Sequence, residues 1–190
     1  MRNSVRLTIH GDYFDRDTRA LLAICDMAEV AAEFVIVDTF NGGNLEESYQ
    51  TLNPSQTIPM VSQGALKAQG TDSKRFFQFL LENQARIKAT FYHSNQAALT
   101  NELFTYLYGR VRPISNQLIA AITDEKIFSK SRRTKSKANG QNHQTNLRQL
   151  MAEYLTQVAG LEEHLAKYDN LTGMQMTYVD VAMYIELDTV

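Results

Sequence analysis

Apolar and polar positions alternate along Ser4–His10: Val5, Leu7 and Ile9 fall on one side and Arg6, Thr8 and His10 on the other, which predicts a first strand. Gly11-Asp12 interrupts it, and Asp15–Asp17 offers capping acceptors for a helix to about Val30, with Ala20, Leu21, Leu22, Ile24, Cys25 and Met27 as its apolar positions. Phe34–Val37 is a short apolar strand closed by the turn residues Asn41-Gly42-Gly43-Asn44. A short helix over Leu45–Leu52, a strand over Ile58–Val61 and another over Ala65–Ala68 across the Gln63-Gly64 turn follow. Asp72 then caps a helix carrying Phe76, Phe77, Phe79, Leu80 and Leu81.

After about Thr90 the strand signals stop. Asn95–Thr123 has Leu99, Leu103, Phe104, Leu107, Val111, Leu118 and Ile122 at helical spacing, with Pro113 predicted to kink or break the helix. Ser129–Thr145 is polar and holds Lys130, Arg132, Arg133, Lys135 and Lys137, so it reads as a solvated loop between helices. Leu147–Tyr168 is a second amphipathic helix, built on Leu150, Tyr154, Leu155, Val158, Leu161 and Leu165. Thr177-Tyr178-Val179-Asp180 has the hydroxyl-to-acid spacing of a capping box, flanked by Met176 and Val181 at the positions of a hydrophobic staple. It opens an apolar helix that runs to Val190, and so apolar an end predicts a shortened fold or a surface covered by a partner.

The element order is therefore βαβαββα over residues 1–88, then all-α over 89–190. Strands interleaved with helices imply a right-handed crossover and a parallel pair, here with a terminal hairpin added, which is the thioredoxin-like arrangement. Within it, Leu52–Val61 carries two of the chain's three prolines, Pro54 and Pro59. Pro59 has no N–H, and it pushes Ile58 toward an extended backbone. A proline entering a strand leaves the peptide groups of Ile58 free to pair with something other than a neighbouring strand.

Composition narrows the function classes. A net charge of −2 gives no whole-chain case for nucleic acid or an anionic membrane. No apolar run approaches the roughly 20 residues a bilayer span needs, and Met1-Arg2-Asn3-Ser4 runs straight into strand-like sequence without a signal peptide. The single cysteine, Cys25, excludes an intrachain disulfide, suits a reducing cytoplasm, and on the apolar face of its helix reads as packed rather than reactive. His10, His93, His143 and His164 have no metal-ligand spacing, and there is no phosphate loop or CxxC.

Asn53-Pro54…Ile58-Pro59, Asp72-Ser73 opening a helix, and Leu171-Thr172-Gly173…Thr177-Tyr178-Val179-Asp180-Val181 come in the order and spacing of the cytosolic glutathione transferase superfamily. The resemblance spans nearly the whole chain, and Arg19-Ala20 with Ile185-Glu186-Leu187 looks most like its theta-type branch. It implies that Ile58, held by a cis Pro59, pairs with the cysteinyl amide of glutathione like an added strand. It also implies that Asp72 and Ser73 receive the γ-glutamyl end, Asp72 meeting the ammonium and Ser73 the carboxylate through its hydroxyl and N–H. The residues alone admit a plain helix cap at Asp72-Ser73. Thr57 occupies the position before the Ile-Pro pair that meets the glycyl carboxylate, with Gln56 as its substitute.

The family activates the thiol with a hydroxyl after the first strand. Here Asp15 stands at the theta-type serine position, and an ionised aspartate has no proton to donate. Tyr13 offers a phenol nearby and is the alternative donor; it also reads as a packing aromatic. Tyr106, Tyr108, Arg110 and Arg112 fall where the family builds its electrophile pocket, although aromatics at helical spacing also build cores. The resemblance implies glutathione as co-substrate, a small electrophile, no other cofactor and a homodimer. A transferase-like subunit without turnover, working within a larger assembly, is the alternative.

Overall fold

The computed structural model describes residues 6–131, 138–173 and 175–190. Strand β1 is Leu7–Gly11, and the alternation holds: Leu7 and Ile9 are buried, Thr8 and His10 half-buried. Helix α1 spans Arg16–Met27 and stops short of Val30 because Glu29 turns left-handed at φ 51° and leads the chain away. Strand β2 is Ala32–Ile36, α2 Glu47–Leu52, β3 Met60–Gln63, β4 Leu66–Ala68 and α3 Ser73–Asn83. The sheet order is β2-β1-β3-β4, with β1–β2 parallel and the β1–β3 and β3–β4 pairs antiparallel. This is the predicted crossover plus hairpin. Ile9 lies opposite both Phe34 and Val61, and Met60 opposite His10. β3 starts two residues later than the sequence suggested, because Pro59 cannot donate to the ladder and Ile58 stays outside it.

The rest is helical. Helix α4, Ala85–Phe91, was not expected and runs across position 88. Helix α5 is Ala97–Tyr106, followed by a π turn at Leu107–Val111, then α6 Arg112–Ser131, α7 Ala138–Leu165 and α8 Tyr178–Thr189. The long helix predicted over Asn95–Thr123 thus changes its winding upstream of Pro113. Pro113 follows that π turn directly, as the second residue of α6. The loop predicted over Ser129–Thr145 is corrected at both flanks: α6 runs on to Ser131 and α7 begins at Ala138, while residues 132–137, with most of its basic positions, lie outside the described residues. Polar composition suggested a loop, but it is equally compatible with a solvated helix face.

One hydrophobic core joins the two parts. Phe77 of α3 stacks on Tyr178 of α8 at 5.2 Å and meets Phe104 of α5 edge-on at 5.8 Å, and Phe104 stacks on Tyr108 of the π turn at 4.2 Å. The capping box at Thr177–Asp180 is formed, and the Asp180 carboxylate also accepts the Leu171 N–H at 2.6 Å. This fixes the start of α8, which lies along α1. Among the described residues no helix is long and apolar enough to cross a membrane.

Candidate functional site

The strand directions bring the ends of β1, β2 and β4 and the start of β3 to one end of the sheet. Asp12–Asp15, the loop after β2, Ile58-Pro59 and the N-terminus of α3 therefore gather there.

The Ile58 segment is held from beneath. Asn53, fully buried, donates its amide to the Thr57 carbonyl at 2.7 Å and the Tyr49 hydroxyl at 3.2 Å, and its oxygen accepts the Ser55 hydroxyl at 2.6 Å and N–H at 3.2 Å. Tyr49 donates to the same Thr57 carbonyl at 2.8 Å, and the Thr57 hydroxyl donates to the Gly70 carbonyl at 3.1 Å. Gln56 is left-handed at φ 57°, its carbonyl accepting the Asn44 amide at 3.0 Å. The Ile58–Pro59 peptide is cis. Among the described residues neither the N–H nor the carbonyl of Ile58 makes a hydrogen bond. A half-buried donor and acceptor, fixed side by side just before β3 at one end of the sheet, form a template for an extended chain.

Asp72 is the exposed N-cap of α3: one carboxylate oxygen accepts the Lys74 N–H at 3.1 Å, and the other has no hydrogen-bond partner among the described residues. Ser73 is buried, and its hydroxyl donates to the carboxylate of Asp17 in α1.

The segment between β1 and α1 is pinned by acids. Asp12 is buried and accepts the Phe14 N–H at 3.1 Å and the Thr39 hydroxyl at 2.8 Å, so one carboxylate ties this turn to the loop after β2. Burial works to raise the pKa of Asp12, but those hydrogen bonds outweigh it and hold the group below the usual carboxylate range. Asp15 is the N-cap of α1, its carboxylate accepting the Thr18 N–H at 2.6 Å and hydroxyl at 2.7 Å. Burial raises its pKa against those two bonds. Both bonds go to its Oδ2, inside the first turn of the helix, so the carboxylate at the position that resembles a thiol-activating hydroxyl forms a cap. Gly11 belongs to the same packing, because a Cβ there would overlap the Thr18 hydroxyl. Tyr13 is 58% exposed with its ring edge-on to Phe34 at 4.8 Å, and its hydroxyl has no partner among the described residues.

The four residues expected around an electrophile pocket do not point one way. Tyr106 turns to α7 and donates to the Gln157 carbonyl at 2.5 Å. Two residues amount to about 200° of helix rotation, so Tyr108 faces the opposite side, where it donates to Asp17 at 2.7 Å. Arg112 follows on that face, pairing with Asp17 at 2.6 Å and Glu186 of α8 at 2.8 Å while its guanidinium lies 4.1 Å from the Tyr108 ring centre. Arg110 is exposed. Glu186, fully buried, also receives Arg16 and Ser115. The result is a buried ionic cluster of Arg16, Asp17, Arg112 and Glu186 joining α1, α6 and α8. Burial disfavours the charge on Arg112, yet Asp17, Tyr108 and Glu186 outweigh this and hold its pKa above the arginine range. Burial first, then Asp17, pushes the Tyr108 phenol far above its usual range, so it remains a donor.

Sequence reasoning missed Asp12, Arg16, Asp17 and Glu186 as site-building residues. One signal was available: Glu186 interrupts the apolar run Val181–Leu187, and an acid among buried positions requires a cationic partner.

Cys25 is buried, and burial pushes its thiol up to about 12. Iodoacetamide at pH 8 is therefore expected to leave Cys25 unmodified in the native protein and to label it in urea. Rapid native labelling, read by intact mass, would contradict this packing.

No family model and no curated protein matches this chain by sequence. Solved structures match closely in shape. Human glutathione-S-transferase T1-1 superposes with a TM-score of 0.74 at 19% identity, over 96% of this chain and 73% of its own. A Bombyx mori glutathione transferase gives 0.73 at 15% identity, over 96% and 76%, and a Pseudomonas fluorescens glutathione S-transferase 0.71 at 14% identity, over 96% and 83%. The chain has the fold of these transferases.

Proposed function

We propose that this chain binds glutathione along the Ile58 edge and activates its thiol for conjugation to small electrophiles, as a glutathione transferase-like enzyme of the cytoplasm, working as a homodimer. The observation that carries the reading is the unpaired N–H and carbonyl of Ile58, at the same end of the sheet as the N-terminus of α3. The cysteinyl amide pairs with Ile58, and the γ-glutamyl end reaches Asp72 and the free N–H of Ser73. Gln56 meets the glycyl carboxylate rather than Thr57, whose hydroxyl is engaged by Gly70. Tyr13 supplies the hydrogen bond to the thiolate, since its phenol is exposed and unpaired and Asp15 is committed to its helix cap. Tyr108 and Arg112 wall the site only through Asp17, and Tyr106 is not part of it.

Titration calorimetry with glutathione, run beside turnover of a chromogenic aryl halide, tests the reading. Binding and turnover are both expected, and Tyr13→Phe should lower the rate at least about tenfold with little change in affinity. An absence of binding removes the proposal entirely. Binding without turnover supports the second reading, a transferase-like subunit in a larger assembly, which Asp15 in place of a hydroxyl favours.

A further inference from the structure

The charges of this chain are unevenly placed. From Ala20 to Leu66 there is no lysine or arginine, while Asp26, Glu29, Glu33, Asp38, Glu46 and Glu47 all fall there. The stretch builds β2, the loop after it, α2 and β3. Glu33 pairs with Arg6 and Glu29 with Arg86, so the start of β2 is neutralised. Asp38, Glu46 and Glu47 are exposed and have no cationic partner among the described residues. β2 is also an outer strand, paired with β1 alone. The Val37 N–H donates to the Gly11 carbonyl at 2.8 Å, and because peptide groups alternate in direction along a strand, those of Phe34 and Ile36 point away from β1. Lysine or proline ordinarily guards such an edge. The other outer strand, β4, carries Lys67; β2 carries neither. Ile36 is instead 61% exposed, and Phe40 and Leu45 beyond the strand are 76% and 58% exposed. Val35, Ile36 and Val37 line one groove of about 360 Å³ with Glu46, Tyr49 and Leu52.

We infer that the open edge of β2 and this groove form an interaction surface for an extended segment of a partner protein that carries both basic and branched apolar side chains. Its main chain adds to β2 through the peptide groups of Phe34 and Ile36. Its apolar side chains cover Ile36 and the groove, and its basic ones meet Asp38, Glu46 and Glu47. An acidic or uncharged strand fits poorly, because it leaves those carboxylates facing like charge or none. β2 and β3 flank β1 on opposite sides, so the inference does not rest on the glutathione reading.

The test titrates the full chain, followed by amide nuclear magnetic resonance, with acetyl-Lys-Val-Lys-Val-Lys-Val-amide, with its counterpart bearing glutamate for lysine, and with the lysine peptide carrying proline at its central valine. The lysine peptide is expected to bind with a dissociation constant of about 0.1–1 mM, as suits a short unconstrained strand. It should shift the amides of Phe34–Asp38 and Glu46-Glu47 and slow hydrogen exchange at Phe34 and Ile36, which charge attraction alone does not do. The glutamate peptide should not bind. The proline peptide, unable to complete the ladder, should bind at least about fivefold more weakly. Glu46→Lys with Glu47→Lys should weaken the lysine peptide about tenfold, since exposed attractions become repulsions. The inference is overturned by no saturable shift with the lysine peptide up to about 5 mM, by equal binding of the proline peptide, or by undiminished binding to the charge-reversed protein. Sedimentation of the protein without peptide is the arm for a second copy. Self-association that the charge reversal abolishes would assign the surface to another copy of this chain and overturn the assignment to a partner segment.

Discussion

Replacing Arg112 by methionine is expected to lower the unfolding free energy by about 3–5 kcal/mol, the usual cost of removing one partner from a buried ion pair. The side chain keeps most of its volume, so the loss is electrostatic. Asp17 retains the Ser73 and Tyr108 hydroxyls and the more distant Arg16 charge, and Glu186, fully buried, retains Arg16 and Ser115. The contact of the guanidinium with the Tyr108 ring, 4.1 Å away, goes as well. Urea unfolding followed by circular dichroism reads the effect as a lower midpoint at unchanged slope. Adding Asp17→Leu should recover part of the loss, because an apolar pair of similar volume replaces a buried ion pair at little net cost. A single-variant loss below about 1 kcal/mol would mean that water reaches these charges and screens them, as at a surface pair.

Asn53→Ala is expected to be nearly as damaging, by about 2–3 kcal/mol, with a fall in melting temperature of about 5–10 °C for a chain of this length. Asn53 satisfies four groups from a site without solvent access. Alanine leaves the Ser55 hydroxyl and N–H without their acceptor and the Thr57 carbonyl with one fewer donor. The same substitution frees the segment that carries Ile58, so glutathione affinity should fall along with stability. Asn53→Asp separates the two halves of the network: it keeps the acceptor for Ser55 and loses both amide donations. A melting temperature within about 2 °C of wild type for Asn53→Ala would show that the loop is held elsewhere.

Most of the architecture was legible because it rests on short-range regularities. The alternation of Leu7, Thr8, Ile9 and His10, the turn at Gln63-Gly64 and the capping box at Thr177–Asp180 each depend on residues within a few positions of one another. Pro59 was legible for the same reason, since a residue without an N–H at a strand entrance constrains its own neighbour. The ionic cluster was not. An acid in the first turn of α1 reads as a dipole partner, and nothing local says that Asp17 is buried against Tyr108 and Arg112, some 90 residues away. Asp15 was legible as a cap, because a carboxylate three residues before Thr18 has the local spacing of an N-cap, and the structure forms that cap. The electrophile-pocket residues were grouped by the resemblance alone, and helix rotation separates Tyr106 from Tyr108. Helix α4 has only seven residues, less than two turns, too short for a helical period to stand out.

Neither half of this fold can be exchanged for that of a relative by cutting the connection between α3 and α5. Phe77 comes from one side of such a cut, and Phe104 and Tyr178 from the other, with their ring centres 5.2–6.0 Å apart. A recombinant that brings in foreign helices must also bring rings of matching size and tilt, or rebuild all three positions at once. Substitutions at any one of them are accordingly expected to be tolerated only with compensation at the others, which makes the chain inherit its two halves as a single unit.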